Sequence, residues 1–363
     1  MVDGSLSGHW RGRSVLVTGH SGFVGSWVCV LLTRLGAEVT GFSLNEDEPT
    51  RERGRWLGSF GVSQIVGDVR DYQAVEQAMG ARRFDAVLHL AAQPLVHVGI
   101  SDPRGTLESN VGGTINVLDA ARRYPPLVLV LVTSDKCYRN YGGERPYKEG
   151  DELGGGCPYS VSKAVAEQVF EAYGRYFPNS GEGTRVASVR FGNVVGGGDH
   201  GSRRLVTDYV AALSAGEHPR LRDPSAVRPW QHVLDVCEGL LRLLTRLADG
   251  RVPSGRSLNF APPDGGAPVG RMAEALASAW RAGGGTPLAP VGQEAISGEE
   301  RVLRLDGSTA RRALEWRHRF DVEEMAVSIV SWHRDVFSGS APEMATSRQV
   351  EEFLAQSTIG AHS

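Results

Sequence analysis

Tyr159 and Lys163 stand four residues apart in Pro158-Tyr159-Ser160-Val161-Ser162-Lys163, a spacing that puts both side chains on one face of a helix. A lysine cation beside a phenol favours the phenolate, drawing its pKa from about 10 towards neutrality, so that the tyrosine can take a proton from an alcohol. Upstream, an apolar run ends in Thr133-Ser134-Asp135-Lys136, which sets a hydroxyl, an acid and a base side by side. Taken alone, the first pair reads as a surface helix pair and the second as a strand-end ion pair. A third segment gives them weight. Thr18-Gly19-His20-Ser21-Gly22-Phe23-Val24-Gly25 follows a β-branched run and leads at once into a helical pattern. Its glycines permit a tight turn, let backbone N–H groups approach a pyrophosphate and allow the helix to pack close to a sheet.

These segments need a scaffold, and the first third of the chain supplies its rhythm. Short β-branched runs at 14–18, 38–42, 64–66, 86–91, 127–133 and 185–190 alternate with helical patterns at 25–35, 72–79 and 113–123, which predicts an α/β fold: a doubly wound, Rossmann-type parallel sheet covered on both faces. Beyond Asn193 the pattern loosens into Gly-, Pro- and Arg-rich loops with shorter helices, read as a smaller C-terminal substrate-binding lobe. The expected division is a dinucleotide-binding domain over 1–190, rejoined by later segments near 228–262, a mainly substrate-binding lobe over 191–337, and a tail over 338–363 with a short helix near 347–355. The second strand ends in Phe42-Ser43-Leu44-Asn45, with Glu46 and Asp47 following. No basic residue stands at 43–45 to receive a 2′-phosphate, which favours NAD over NADP. Asp68 is expected to accept from the adenine amino group, and Asp71 to cap a helix.

Composition narrows the function classes. With 363 residues, 41% hydrophobic and 22% charged, and 39 basic against 42 acidic residues for a net charge of -3, the chain is ordinary globular material and a poor generic nucleic-acid binder. Its longest apolar runs fall far short of a bilayer span, and the N-terminus carries no apolar signal core, which predicts a cytoplasmic protein without membrane partners. Four dispersed cysteines, Cys29, Cys137, Cys157 and Cys237, fit neither a zinc site nor a disulfide framework, and no metal site is expected.

The strings GHSGFVGSW (19–27), HLAAQPLV (89–96), TSDKCY (133–138), PYSVSK (158–163), GNVVGGGD (192–199) and RPWQHVLD (228–235) together resemble the extended short-chain dehydrogenase/reductase family of NAD-dependent epimerases and dehydratases. Within it, the Asp135-Lys136 pair is similar to the CDP-sugar branch of the 4,6-dehydratases. The resemblance covers nearly the whole chain. It implies a cofactor site formed by Gly19, Ser21, Gly22, Phe23, Val24, Gly25, Ser43, Asp68, Val69, Leu90, Ala91, Ala92 and Gln93, with Tyr159 and Lys163. It implies a nucleotide-sugar substrate, CDP-D-glucose, held by Gln93, Asn193, Arg204, Arg228 and His232, with residues 218–224 towards the base.

The implied reaction is an internal redox cycle yielding a 4-keto-6-deoxy sugar. Tyr159 would take the 4-hydroxyl proton, Ser134 would hold the 4-oxygen, Lys136 would remove the C5 proton and Asp135 would protonate the departing 6-hydroxyl. The rival readings are a 4-epimerase, which would use Tyr159 without the Asp135-Lys136 pair, and a non-catalytic NAD(P)-binding protein. Relatives pair helices equivalent to 113–123 and 159–177 across a two-fold axis, implying a homodimer or homotetramer. The chain departs from the family pattern at His97–Ile100, Cys157 and His200.

Overall fold

Successive residues of a strand face opposite sides of its sheet, and in β1 (Ser14–Thr18) both sides are apolar. Val15 and Val17 join one core with Trp27, Leu31 and Leu240, while Leu16 joins another with Phe42, Val75 and Val117. A strand buried on both faces belongs in the middle of a parallel sheet. The computed structural model, which describes residues 3–45, 47–143, 145–175, 183–292 and 301–359, places it there.

Seven strands form the sheet: β1, β2 (Glu38–Ser43), β3 (Ser63–Val66), β4 (Ala86–His89), β5 (Val128–Val132), β6 (Arg185–Arg190) and β7 (Arg256–Asn259). Their order is 3-2-1-4-5-6-7, and every pairing is parallel. On one face lie α1 (Phe23–Arg34) and α6 (Val233–Ala248). On the other lie α3 (Tyr72–Gly80), α4 (Gly113–Arg123) and α5 (Pro158–Gly174). A second apolar core gathers Tyr209, Leu213, Trp230, Met272 and Leu276 with Met325 and Ile329 of α7 (Val322–Phe337).

The order reverses between β1 and β4, so the chain opens a crevice at the carboxyl ends of these strands. Four of the segments singled out in the sequence leave strands at that edge. The glycine loop leaves β1, residues 90–93 leave β4, Thr133 to Lys136 leave β5 and Gly192-Asn193 leave β6. β4 ends two residues earlier than expected: Leu90 N still donates to Thr18 O, but Ala91 N turns to Thr18 Oγ1. The close approach of Gly19 explains the departure, since a Cβ there would lie 2.8 Å from Ala91 N.

Two elements were not foreseen, and a third is longer than expected. α2 (Glu48–Ser59) follows β2, capped by Asp47 on Thr50 N at 2.8 Å; Glu46 lies outside the described residues. A π-helical turn spans Glu108–Gly112 and runs directly into α4. The C-terminal helix, α8 (Pro342–Ile359), outgrows the expected 347–355. Ala345, Val350 and Phe353 are buried in the same core as Trp27 and Leu31 of α1, an apolar stripe that holds the middle of α8.

Candidate active site

Gly19 opens the loop with φ +71, a left-handed conformation that favours glycine. Gly22 N donates to Gly19 O at 3.0 Å, and a Cβ on Gly25 would lie 2.1 Å from that same oxygen. The turn therefore closes with no side chain between the loop and the first turn of α1, leaving backbone N–H groups at a helix N-terminus, a cradle that fits a dinucleotide pyrophosphate. Phe23 and Val24 are half-buried in that first turn, and Phe23 packs beside Gly196.

Beyond the loop, Ser21 Oγ lies 2.8 Å from Ser43 Oγ, which in turn lies 2.9 Å from His20 Nδ1. A cleft of about 270 Å³ opens here, lined by Ser21, Ser43, Asn45, Arg51 and Arg55 among others. The two arginines were not anticipated. α2 brings them in, and both are paired with Glu48, at 3.0 and 2.6 Å. Asp68 takes the Arg70 backbone N–H at 2.8 Å and pairs with its guanidinium at 2.5 Å, and Asp71 caps α3 as expected. Val69 is held in place by Asn116 Nδ2 on its carbonyl at 2.8 Å. Leu90, Ala91, Ala92 and Gln93 are half-buried along the crevice. The Gln93 side chain donates to Thr106 Oγ1 at 2.8 Å and accepts from Leu95 N at 2.5 Å.

At the crevice's other end, the 3-10 turn Asp135–Cys137 delivers the remaining groups. Ser134 Oγ donates to Asp135 Oδ1 at 2.9 Å and accepts from Lys136 N at 3.2 Å. Asp135 is 2% exposed, and its Oδ2 is buried with no hydrogen-bond partner among the described residues. Gly192 makes room for it: a Cβ there would lie 1.9 Å from Oδ2. Tyr159 reaches the same place from the first turn of α5, with the Ser134 hydroxyl and the charges of Asp135 and Arg204 close by. Ser134, Asp135 and Tyr159 thus meet at one point, and Lys136 follows directly on the same turn.

The electrostatics differ from the sequence expectation in one respect. Burial pushes the Tyr159 phenol up to about 12, with Ser134 and Arg204 pulling the other way, rather than down towards neutrality. Burial also brings Lys163 down to about 8, against the opposing charge of Glu167. The charges of Glu167 and Cys137 raise it, and Lys163 in turn lowers His89. Burial holds His89 neutral, at about 3, beside Thr18 Oγ1 at 2.7 Å.

The expected substrate residues divide. Asn193 sits three residues beyond β6 with φ +47, its carbonyl accepting from Gln231 N at 3.2 Å. Arg204 pairs with Asp199 at 2.7 Å. Arg228 is buried, its Nη1 donating to the carbonyls of Val227 and Arg301. His232 requires a correction. It is wholly buried, its Nδ1 accepts from Leu234 N at the start of α6, its Nε2 lies 3.0 Å from Ser328 Oγ and its ring stacks on Phe320. Burial keeps it neutral, at about 3. Neither nitrogen is left for a phosphate or ribose.

Of the departures, His97 is half-buried on the helix Val96–Ser101, Cys157 caps α5 with its thiol on Ser160 N, and His200 lies against Arg53 and Asp199. Sequence reasoning missed Asn110, buried in the π-helical turn. Its amide joins Gln93 N at 2.8 Å to Ser162 Oγ at 2.9 Å and so ties the β4 exit to α5. It also missed the clamp on Gly196-Gly197-Gly198: Trp27 donates to Gly197 O at 3.0 Å, Arg53 bonds both Ser21 O and Gly198 O, and a Cβ on Gly197 would strike the Trp332 ring.

Residues 15–259 match the NAD dependent epimerase/dehydratase family. The chain belongs to that family. Its cofactor is NAD, and the glycine cradle fits it. The chain is 33% identical over 362 residues to CDP-glucose 4,6-dehydratase of Salmonella typhimurium, covering 96% of this chain and 98% of that protein. It is 26% identical to UDP-glucose 4-epimerase 3 of Oryza sativa subsp. japonica, over 91% of this chain and 93% of the relative. Among solved structures, dTDP-glucose 4,6-dehydratase from Bacillus anthracis in complex with NAD shares the fold with a TM-score of 0.76 at 21% identity, covering 89% of this chain and 97% of that one. No helix among the described residues is long and apolar enough to cross a membrane, and no cluster of three or more His, Cys, Asp or Glu among them is arranged to hold a metal.

Proposed function

We propose that the protein is an NAD-dependent sugar-nucleotide 4,6-dehydratase that converts CDP-D-glucose to CDP-4-keto-6-deoxy-D-glucose. One observation carries the reading: a buried acid, Asp135, whose Oδ2 has no partner among the described residues, converges with Ser134 on the Tyr159 phenol, and Lys136 follows it in the same turn. A 4-epimerase needs the phenol but has no use for an acid and a base beside it. The identity to a CDP-glucose 4,6-dehydratase over 96% of the chain supports the same substrate.

When bound, NAD supplies a two-electron acceptor that takes a hydride from C4 of the sugar and returns one to C6. The protein's groups handle the protons. Ser134 holds the 4-oxygen and Tyr159 takes its proton. Once C4 is a ketone, the neighbouring C5–H is acidic. Lys136 removes that proton while Asp135 gives one to the departing 6-oxygen, so that water leaves, and the Lys136 ammonium gives its proton back to C5 as C6 takes the hydride. Gly19, Ser21, Gly22, Phe23, Val24, Gly25 and Ser43 hold the cofactor from one end, and Leu90 to Gln93 flank it. Asn193, Arg204 and Arg228 serve the substrate's pyrophosphate.

We also read the protein as a cytoplasmic homodimer or homotetramer. Ile115 on α4 and Val161 on α5 are exposed, and these two helices pack side by side. Incubation with CDP-glucose carrying deuterium at C4 tests the main reading. The product should lack one water, by mass spectrometry, and carry the deuterium in its new methyl group, whereas Lys136→Ala should stop loss of water. A product of unchanged mass, or a label that stays on the ring, refutes the dehydratase. Parallel incubations with dTDP-, UDP- and GDP-glucose test the base.

A further inference from the structure

Glu167 lies one helical turn beyond Lys163 on α5, so Tyr159, Lys163 and Glu167 form a single stripe. It is 2% exposed, and side chains from three strands converge on its carboxylate. Thr133 Oγ1, at the exit of β5, donates to Oε1 at 2.5 Å. Arg190 Nη2, from β6, donates to Oε2 at 2.7 Å, and the hydroxyls of Ser188 on β6 and Ser257 on β7 lie 2.9 and 3.1 Å from that oxygen. Arg190 is itself fixed by Tyr138 and the Glu149 carbonyl.

An ion pair this deep costs desolvation that its own attraction does not reliably return. Arg190 would suffice to neutralise the anion. What Arg190 does not explain is that the carboxylate also holds Thr133, directly before Ser134-Asp135-Lys136, and opposes the burial of Lys163 from the next turn. We infer that Glu167 is a positioning residue of the reaction: it is the strut that sets the Ser134–Lys136 segment against α5, and the buried anion one helical turn from Lys163. The inference rests on the proposed roles of Tyr159 and Lys163, but its measurement does not require turnover.

The groups around Lys163 leave a clear window. His89 from β4 is neutral and Cys137 from the turn after β5 is pushed well up by burial, as is Tyr138 behind it. Tyr159 titrates at about 12, and Arg190 is held charged by Glu167. Lys163, at about 8, is therefore the group of this cluster that changes charge around neutral to mildly alkaline pH. Loss of a neighbouring anion lowers a lysine's pKa further.

The chain contains three lysines, Lys136, Lys148 and Lys163, so protein labelled with carbon-13 at the lysine ε-carbon gives three resonances, with Lys163→Met assigning the one of interest. In Glu167→Gln the Lys163 midpoint should fall by about one pH unit or more, and in Glu167→Asp it should stay near the wild-type value. The alkaline limb of kcat/KM should shift in the same order. Because Glu167→Gln leaves Arg190 buried without its partner, the double variant Glu167→Gln/Arg190→Gln is measured too. It should also show a lowered midpoint, smaller than in the single variant because the Arg190 charge is removed together with the anion. A wild-type Lys163 midpoint in either variant overturns the inference. Failure of the dehydratase reading would appear instead as missing dehydrated product with the titration shift intact.

Discussion

A buried carboxylate oxygen with no donor costs free energy in the resting protein, of the order of 1–3 kcal/mol. Asp135 Oδ2 bears that cost at the point where the proposed reaction must deliver a proton to a leaving oxygen. Gly192 is what allows it, so Gly192→Ala should displace the carboxyl without touching the cofactor cradle. Product formation should drop roughly a hundredfold while NAD affinity, read by fluorescence quenching, stays within about twofold. Full activity in this variant would remove Asp135 from the reaction. At this scale much of the site was legible: Ser134, Asp135 and Tyr159 do converge, because residue spacing on a helix and at a strand end fixes direction. The phenol's titration was not legible. Burial dominates its electrostatics, and burial depends on everything packed around it. For the same reason His232 passed for a ligand. Only the packing of Phe320 and Ser328 against it reveals that both of its nitrogens are engaged.

Between the residues and the whole molecule stand the turns and helix ends that aim them. The Gly19 to Gly25 loop works because nothing intervenes between its first carbonyl and the start of α1. In Gly25→Ala the added methyl would press on Gly19 O, and the loop must open. NAD affinity should weaken at least about tenfold, or ~1.4 kcal/mol, while the far-ultraviolet circular dichroism stays unchanged. Unaltered NAD binding, measured by calorimetry, would contradict this account of the cradle. The sheet strands and helices of the first third were readable from apolar periodicity, and α4 spans the expected 113–123. α2 was not, because its polar, arginine-rich sequence buries only Trp56 and Leu57. Its signal was chemical rather than periodic: Asp47 as a cap with Pro49 in the first turn. The π-helical turn around Asn110 left no periodic trace, since one widened turn barely disturbs the apolar pattern of α4.

For the molecule as a whole, the lobe's core meets the core under α1 and α6 at Phe320, which packs against both. Asp235 on α6 accepts the backbone N–H groups of Arg319 and Phe320, just before α7 begins. The lobe's core was hard to read because its members come from scattered short segments. Assembly belongs to this scale as well. A charge at Val161 would face solvent in a single chain and would be desolvated in a dimer built on α4 and α5. Val161→Asp should therefore convert the protein to the mass of one chain in sedimentation equilibrium while leaving its melting temperature nearly unchanged. A wild-type protein that already sediments as one chain would end the assembly reading.

The outermost strand of the sheet has a consequence for how the chain is made. β7 lies against β6 but is separated from it by more than sixty residues, including the whole of α6. During synthesis β6 must wait with a bare row of hydrogen-bonding groups until that late stretch leaves the ribosome, a template on which a neighbouring chain could pair. A gene cut after residue 190 would leave that waiting state permanent, and its product would be prone to clump.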